Sequence, residues 1–368
     1  MIVKDIECVN FRNIKKTRLE FSGTFNIIEG MNAQGKTNLL EALHIFSLGR
    51  GFRTRRTDEL VRFGEEYFFL RINGKSDTKV DFTIEFGYEK GGKAKVSVNG
   101  NRLSSLSEMI GIIPTVIFTP GDVELASGPP AGRRLFIDYT AAQISPAFLS
   151  DLGAFRKALK HRNSLLRKIS TGGGGIEELN VWDETFVSKG AALTKGRMEV
   201  LSEIEEAACG IYDRIRPSGE KLGIRYRSSF YEGNDTVEDD LKEALRRSSQ
   251  SELRRGYSLA GPQYDDIELS LDDAPIRRFG SQGRKRLTAI VMKLSQAVVI
   301  MQRRAERPVV LLDDIFSELD TGISGKVREL ISDRYQSFIT SPKNEAFSGL
   351  PAGSAVFFVE KGSFSLRN

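Results

Sequence analysis

The sequence predicts an α/β protein in which the first and last thirds of the chain form one core, with a helical domain inserted between them. Short apolar strands alternate with turns up to about residue 118, and long helical patterns dominate from Arg133 to about Arg216. Strands return after Pro217. We therefore expect a core made of two lobes, residues 1–130 and 217–368, and a helical arm at residues 131–216.

The first lobe is predicted from its strands and its single helix. Apolar residues followed by turn residues indicate strands in FNIIEG, YFFLRING, KVDFTIEFGYEKGGKAKVSVNG and TVIFTP. An amphipathic pattern from Lys36 to about Leu48 predicts the helix. This alternation indicates a mixed layer of strands and helix.

The insert and the last lobe are predicted in the same way. The helical patterns of the insert are interrupted only by TGGGG at residues 171–175, which is typical of a flexible loop. After the insert we expect a strand in KLGIRYRSSFY, a charged helix in VEDDLKEALRRSS, a helix beginning near Ser281 and a strand in VVLLDD.

Composition narrows the class of protein. The 368 residues carry 54 basic and 49 acidic side chains, so a net charge of +5 favours a polyanionic partner only weakly. Cys8 and Cys209 lack metal or redox spacing, which favours packing roles in a reducing cytosol. Two histidines are too few to support a His-rich metal site or a Ser-His-Asp triad. A charged start and the lack of long apolar runs predict a cytoplasmic protein without a membrane partner.

A phosphate-binding loop follows the strand FNIIE directly. Its glycines let backbone N–H groups converge on a phosphate, while Lys36 neutralises the β and γ oxygens and the Thr37 hydroxyl can bind Mg²⁺. The sequence therefore predicts a site for ATP with Mg²⁺, with Lys36 also catalytic. The predicted nucleotide-binding residues of the loop and of the helix start are Gly30, Met31, Asn32, Ala33, Gln34, Gly35, Lys36, Thr37 and Asn38.

Two consecutive carboxylates complete the predicted chemistry. The strand in PVVLLDDIF ends at Asp313 and Asp314, and successive residues leaving a strand point in different directions. We expect Asp313 to bind Mg²⁺ together with Thr37, and Asp314 to orient or deprotonate the attacking water. The alternative is that Asp314 only caps the next turn.

The segment FGSQGRKRL has two interpretations. Ser281 before an amphipathic run is typical of an ordinary helix N-cap, but a helix N-terminus also attracts anions. The order of phosphate loop, Ser-capped helix, LLDD and SELD resembles ABC-type head ATPases. That resemblance implies that Ser281, Gln282 and Gly283 bind the γ-phosphate held by a second subunit, so that active sites form only in a head-to-head dimer.

Six segments narrow the resemblance to the RecF family of bacterial recombination proteins. They are NFRNI at Asn10, GMNAQGKTNLLEAL at Gly30, SLGRGFRT at Ser47, FTPGDVELASGPPAGRRLFID at Phe118, GSQGRKR at Gly280 and LLDDIFSELD at Leu311. The resemblance implies an SMC-like head of the ABC type with a short helical arm, an ATP-dependent homodimer and slow DNA-stimulated ATP hydrolysis. It also implies binding at single-strand/double-strand junctions of gapped DNA, and work with RecR and RecO to load RecA. Arg12 and Asn13 are then expected near the nucleotide.

The chain departs from related sequences at three places. Pro120 stands where SMC heads carry a glutamine, which makes Asp122 a candidate for the switch contact. GPQYDD at residues 261–266 replaces the usual Gly-Pro-His-Arg-Asp-Asp. Thr340 stands where many ABC heads carry a switch histidine, which implies weaker sensing of the γ-phosphate and slow turnover.

Basic clusters are candidates for contacts with the duplex backbone, although a solvated helix face carries similar charges. The clusters are Arg50, Arg53, Arg55 and Arg56; Lys157, Lys160, Arg162, Arg167 and Lys168; and Arg284, Lys285 and Arg286. Two other functions remain open, a transporter-associated ABC ATPase and an ATP-dependent clamp that does not hydrolyse ATP. The missing glutamine and histidine and the helical insert argue against the transporter.

Overall fold

The computed structural model describes residues 1–54, 56–217, 219–233, 235–332, 334–342 and 350–367. Its strands are β1 (Ile2–Phe11), β2 (Ile14–Glu20), β3 (Phe25–Glu29), β4 (Tyr67–Lys75), β5 (Asp81–Glu89), β6 (Lys95–Val98), β7 (Asn101–Arg102), β8 (Thr115–Phe118), β9 (Leu222–Arg227), β10 (Asp266–Leu271), β11 (Ala274–Pro275), β12 (Val309–Leu312), β13 (Ser337–Ser341), β14 (Ala355–Glu360) and β15 (Ser363–Leu366). Its α-helices are α1 (Lys36–Leu48), α2 (Glu124–Ser127), α3 (Pro130–Ile144), α4 (Pro146–Ser170), α5 (Ile176–Ile215), α6 (Val237–Arg255), α7 (Ile276–Phe279), α8 (Gln282–Arg304) and α9 (Thr321–Ser332).

A mostly parallel sheet has the strand order β15-β14-β3-β13-β12-β8. Only β15 runs antiparallel to its neighbour. Strands β3, β12 and β13 are buried along their whole length, as expected for parallel strands covered on both faces. Their registers pair Ser341 with Glu29 and Ile339 with Leu312, so the carboxyl ends of these three strands meet at one edge of the sheet.

The second large sheet is antiparallel, with the order β2-β1-β4-β5-β6-β7. Strand β4 alternates between covered and more exposed residues, so it buries one face. Helix α1 packs between the two sheets: one core joins Phe68 and Phe86 of the antiparallel sheet, Leu40 of α1, and Leu311 and Phe338 of the parallel sheet. The phosphate-binding loop therefore enters a helix that is fixed on both sides.

The chain forms two compact units. The first contains Met1–Asp122, Ile211–Ser218 and Ile290–Asn368, and the second contains Val123–Gly210 and Gly219–Ala289. The predicted helices of the arm are present as α3, α4 and α5. The limits of the units differ from the predicted domains, because residues 219–289 belong to the unit that contains these helices and not to the first unit. Two of the four boundaries between the units fall inside α5 and α8.

Packing in the second unit explains that difference. Strand β9 pairs antiparallel with β10, and β10 with β11, in a separate three-stranded sheet. Helix α6 packs on α4, and α3 packs on β10. Buried Arg133 of α3 forms a two-point ion pair with Asp266 of β10, at 2.7 and 3.0 Å. Strands β9, β10 and β11 therefore belong to the same unit as the helices α3, α4 and α6.

Two further predictions concern thiols and membranes. Cys8 is fully buried, and burial raises the pKa of its thiol well above the ordinary value, which agrees with a packing role. The Cys209 thiol donates to the Leu222 carbonyl oxygen at 3.3 Å. Among the described helices, none combines the length and the apolar character needed to cross a bilayer.

Candidate nucleotide-binding site

The phosphate-binding loop connects β3 to α1, and the predicted helix Lys36–Leu48 is confirmed at both ends. Gly35 has a φ of 120°, and a Cβ there would lie 2.7 Å from Asn13 Oδ1. A Cβ on Gly30 would lie 2.6 Å from the Val359 carbonyl oxygen. A side chain at either position would clash with these neighbouring atoms, so glycine lets the loop pack closely against Asn13 and Val359.

The Lys36 side chain is buried and turns back over the loop. Its exposed fraction is only 4%, and its amino group donates to the Gly30 carbonyl oxygen at 2.8 Å. The same amino group lies 3.8 Å from Asp314 Oδ1. The structure thus places a fixed positive charge between the loop and the second predicted carboxylate.

Asp313 follows β12 and faces the start of α1. Its Oδ1 accepts hydrogen bonds from the Thr37 hydroxyl at 2.8 Å and from the Thr340 hydroxyl at 3.0 Å. Burial raises the pKa of Asp313, and the two hydroxyl bonds offset this only in part. The two residues predicted to bind Mg²⁺ are therefore in direct contact.

Asp314 is held in a strained backbone conformation by Thr340. Its φ is 50°, in the left-handed region, and its backbone N–H donates to the Thr340 hydroxyl oxygen at 2.8 Å. The same hydroxyl lies 3.1 Å from Asp314 Oδ1. One hydroxyl carries one proton, so Thr340 donates either to Asp313 or to Asp314 at any moment.

The alternative of a turn cap for Asp314 is not favoured by these contacts. In the part of the chain that the structure describes, its carboxylate contacts Thr340 and Lys36 and no N–H group of the next turn. The following helix α9 is capped by Asp320, whose Oδ1 accepts from the Ile323 N–H at 2.9 Å. The catalytic role of Asp314 stays a prediction.

Asn13 contacts the loop directly. Its Nδ2 donates to the Gln34 carbonyl oxygen at 2.9 Å, and its Oδ1 accepts from Asn38 Nδ2 at 2.7 Å. From the β14–β15 turn, the backbone N–H groups of Lys361 and Gly362 donate to Gln34 at 2.7 and 2.8 Å. This last contact could not be found from the sequence, because the turn lies more than 300 residues away and carries no motif.

Arg12 contacts helix α1, and its expected place near the nucleotide stays a prediction. Its Nε donates to Glu41 Oε2 at 2.8 Å, and one terminal nitrogen donates to the Glu59 carbonyl oxygen at 2.9 Å. Glu41, in the middle of α1, has no exposed surface. Sequence reasoning overlooked Glu41, although the only acidic residue in a mostly apolar helix is a signal worth testing.

Ser281 caps α8. Its hydroxyl oxygen accepts from the Arg284 N–H at 3.3 Å, and its carbonyl oxygen accepts from the Lys285 N–H at 2.9 Å. Ser281, Gln282 and Gly283 are all exposed. Ser281 is therefore an N-cap whose residues are exposed to solvent. The contact with the nucleotide of a second subunit stays a prediction.

At the two other departures, the polar side chains of Asp122, Gln263 and Tyr264 all have partners within the chain. Asp122 forms an ion pair with Lys293 at 3.1 Å and accepts from the Thr119 N–H at 2.6 Å. In GPQYDD, Gln263 Nε2 donates to the Ala260 carbonyl oxygen at 2.8 Å, and the Tyr264 hydroxyl donates to the Ser258 carbonyl oxygen at 2.7 Å. The proposed switch role of Asp122 is neither required nor contradicted by these bonds.

The basic clusters differ in their availability to DNA. Arg56 is 77% exposed, Arg53 is partly exposed at 42%, and Arg50 is half-buried. Arg55 lies outside the described residues. Arg162 must be removed from the list of candidates, because it is buried and its guanidinium contacts Asp183, Glu252 and Ser258. Lys157, Lys160, Arg167 and Lys168 lie exposed on α4.

Comparison with known proteins identifies the family. The family model described as the RecF/RecN/SMC N-terminal domain matches residues 2–365. A protein named DNA replication and repair protein RecF, from Caldanaerobacter subterraneus subsp. tengcongensis, is 37% identical over 95% of this chain and 96% of its own. The protein of that name from Shouchella clausii is 34% identical over 99% of both chains.

The chain belongs to the RecF family. A solved structure of a recombination mediator protein RecF with ATP is 35% identical, with a TM-score of 0.92, and covers all of this chain and 98% of its own. An SMC head bound to a domain of ScpA has a TM-score of 0.60 at 18% identity, over 100% and 97% of the two chains, and shows a shared fold alone. The RecF family and the SMC heads therefore share the architecture predicted from the motifs, an SMC-like, ABC-type ATPase fold.

Proposed function

We propose that this protein binds and hydrolyses ATP, and that ATP joins two copies of it into a dimer that acts on DNA in recombinational repair. One observation carries the proposal: Lys36, Thr37, Asp313 and Asp314 meet at one edge of the parallel sheet. The solved relative with ATP supports the choice of nucleotide.

The residues at this edge fit Mg²⁺ and a triphosphate. The Asp313 carboxylate and the Thr37 hydroxyl lie 2.8 Å apart. Both are oxygen ligands of the kind that Mg²⁺ prefers, usually with phosphate oxygens and waters in the remaining positions. The group of Thr37 and Asp313 would hold the ion, which supplies positive charge to the phosphates when it is bound. Lys36 adds a second positive charge, and Asp314 would accept the proton of the attacking water.

The proposed dimer rests on the cap of α8. Lys36 and its loop lie in the first unit, and the exposed N-terminus of α8 at Ser281 lies in the second. A helix N-terminus with exposed N–H groups and a serine hydroxyl binds anions well. We infer that it binds the γ-phosphate held by the other copy, so that each active site needs both chains.

The DNA part of the proposal concerns exposed basic residues and family membership. Arg53 and Arg56 are exposed enough to meet a duplex backbone, which attracts such groups without reading sequence. We propose binding at single-strand/double-strand junctions of gaps, with RecR and RecO as partners in loading RecA. A relative is described as the RecF protein of the RecFOR pathway, which supports this choice of partners.

Phosphate release measured with and without duplex DNA tests the proposal against its alternatives. We expect slow release that DNA stimulates. A release rate that DNA does not change would favour a transporter-associated ATPase, and no release would favour an ATP-dependent clamp. Lys36→Ala is the control, since without the buried amino group both ATP-driven dimerisation and release should be lost. A Lys36→Ala protein that dimerises with ATP like the parent would contradict the assignment of the loop.

A further inference from the structure

We infer that Glu41 is a positioning residue that couples DNA bound at Arg53 to the nucleotide-binding loop. The inference rests on the proposed function, because it assigns a regulatory contact to the same site. The observation is a buried carboxylate that binds two arginines from different segments of the chain. Glu41 Oε2 accepts from Arg12 Nε at 2.8 Å and from an Arg53 terminal nitrogen at 3.1 Å.

The carboxylate also fixes the backbone of the arginine segment. Glu41 Oε1 accepts from the Arg53 backbone N–H at 3.2 Å. A Cβ on Gly51 would lie 2.6 Å from the same oxygen, so the segment approaches α1 as closely as a glycine allows. Both the side chain and the backbone of Arg53 are therefore held by one residue of the helix that follows the loop.

Burial makes this carboxylate dependent on its partners. Glu41 has no exposed surface, and a buried charge is costly unless it is paired and hydrogen-bonded. Although burial acts to raise the pKa of Glu41, the bonds and charges of Arg12 and Arg53 outweigh it, and the pKa lies below the ordinary value. Glu41 is therefore ionised at neutral pH and holds both guanidinium groups electrostatically.

A chain of hydrogen bonds leads from Arg53 to the loop. The Arg53 guanidinium also donates to Asn38 Oδ1, and Asn38 donates to Asn13. Asn13 in turn donates to the Gln34 carbonyl oxygen inside the loop. Arg53 is 42% exposed, so a DNA phosphate can reach it. A phosphate that takes a bond from Arg53 competes with Glu41 and Asn38, and so changes the restraint on the loop.

The test measures coupling between two ligands. The affinity for a fluorescent ATP analogue is measured with and without saturating duplex DNA, and the ratio is the coupling factor. We expect a factor of about 5 or more in the parent, as is usual for coupled sites. Glu41→Gln keeps the size but removes the charge, and should reduce the factor to below about 2. A parent-like factor in Glu41→Gln would overturn the inference.

A double-mutant cycle shows whether Glu41 acts through Arg53. If it does, Glu41→Gln combined with Arg53→Ala should lose no more coupling than Arg53→Ala alone. Effects that multiply would mean that the two residues act separately, which contradicts the inference. Glu85→Gln is the matched control, because it breaks another Arg–carboxylate pair of the first unit, Arg71 with Glu85 at 2.7 Å, and should keep the parent factor.

Two further arms keep the test decisive. If Glu41→Gln does not fold, Arg53→Lys replaces it: this partly exposed residue keeps its charge but loses the planar group that reaches Glu41 and Asn38 together. A parent-like coupling factor in Arg53→Lys would then overturn the inference. A parent protein whose ATP affinity does not respond to DNA overturns the inference without any variant, whereas the DNA part of the proposed function fails only if DNA does not stimulate phosphate release.

Discussion

Replacing Thr340 with valine should slow ATP hydrolysis while leaving ATP binding in place. The side chain is 1% exposed, and its hydroxyl contacts Asp313 Oδ1, Asp314 Oδ1 and the Asp314 N–H at 3.0, 3.1 and 2.8 Å. Valine has nearly the same shape but none of these contacts. Asp314 then loses the bond that holds its left-handed backbone conformation, and the two carboxylates lose the one donor that they share.

The size of the effect follows from the type of bond that is lost. A hydrogen bond to a charged group is worth about 1.5 to 3 kcal/mol. If that energy is lost in the transition state, at about 1.4 kcal/mol per factor of ten, hydrolysis slows about 10- to 100-fold. The unpaired Asp314 N–H also lowers the free energy of unfolding by about 1 to 3 kcal/mol. The assay therefore runs at 25 °C, where a modest loss of stability leaves the protein folded.

Single-turnover hydrolysis and ATP-driven dimerisation are measured on the same samples. Thr340→Ser keeps the hydroxyl and loses one methyl group, so its rate should stay within about threefold of the parent. If Thr340→Val hydrolyses ATP at the parent rate, the hydroxyl does not orient the carboxylates. If Thr340→Ser is as slow as Thr340→Val, packing of the methyl group is the cause and the reasoning is refuted.

Three other predictions concern Asp314, the cap at Ser281 and the buried carboxylate of Glu41. Asp314→Asn should bind ATP and form a long-lived dimer without releasing phosphate, and normal release would reduce Asp314 to a structural role. Ser281→Arg should bind ATP as a monomer without dimerising; mixed with Lys36→Ala it should regain some ATP-dependent dimer and hydrolysis, because one of the two composite sites is then intact. Glu41→Gln should melt below the parent at pH 7. Because the pKa of Glu41 is lowered by folding, its stabilising effect is present above the ordinary value of 4.5 and is lost below it, so the two melting temperatures should converge at acid pH.

Local patterns were sufficient to predict the core of the site. Helix α1 begins at Lys36 because the glycines of the loop end there, and it stops at Leu48 because Gly49 takes a left-handed φ of 69°. The contact between Thr37 and Asp313 follows from two strands that end at the same edge of a parallel sheet. Such features depend on short stretches of sequence and on general rules of sheet geometry.

Contacts between distant segments could not be predicted in this way. Glu41 joins three segments, at Arg12, at Arg53 and in α1, and nothing in the sequence pairs them. The same limit explains the domain boundaries, because strand β9 could be added to either unit until its pairing with β10 was known. The sequence gives strand propensity, whereas the partner of a strand is decided by packing.

Arg162 shows an error that the sequence itself could have prevented. Its charge places it in one basic cluster with Lys157 and Lys160, yet it lies four residues after buried Ala158 and three before buried Leu165. That spacing places it on the apolar face of α4, where a guanidinium must find acceptors in the core. Asp183 and Glu252 supply them at 2.6 Å each. A basic residue in a helix therefore indicates a DNA-binding surface only when the helical period also places it on the exposed face.

Thr340 differs from the switch histidine of many ABC heads, and the structure suggests a role for the threonine itself. From the sequence, the residue is notable only because a histidine is absent, which implies weak sensing of the γ-phosphate. In the structure, the threonine hydroxyl is within hydrogen-bond distance of both carboxylates that are expected to act on ATP. A longer imidazole could not occupy this buried position in the same way, since the neighbouring oxygens already lie at about 3 Å. If the hydroxyl orients Asp314, Thr340→Val should slow hydrolysis without reducing ATP-driven dimerisation, and that result separates orientation of the carboxylate from sensing of the γ-phosphate.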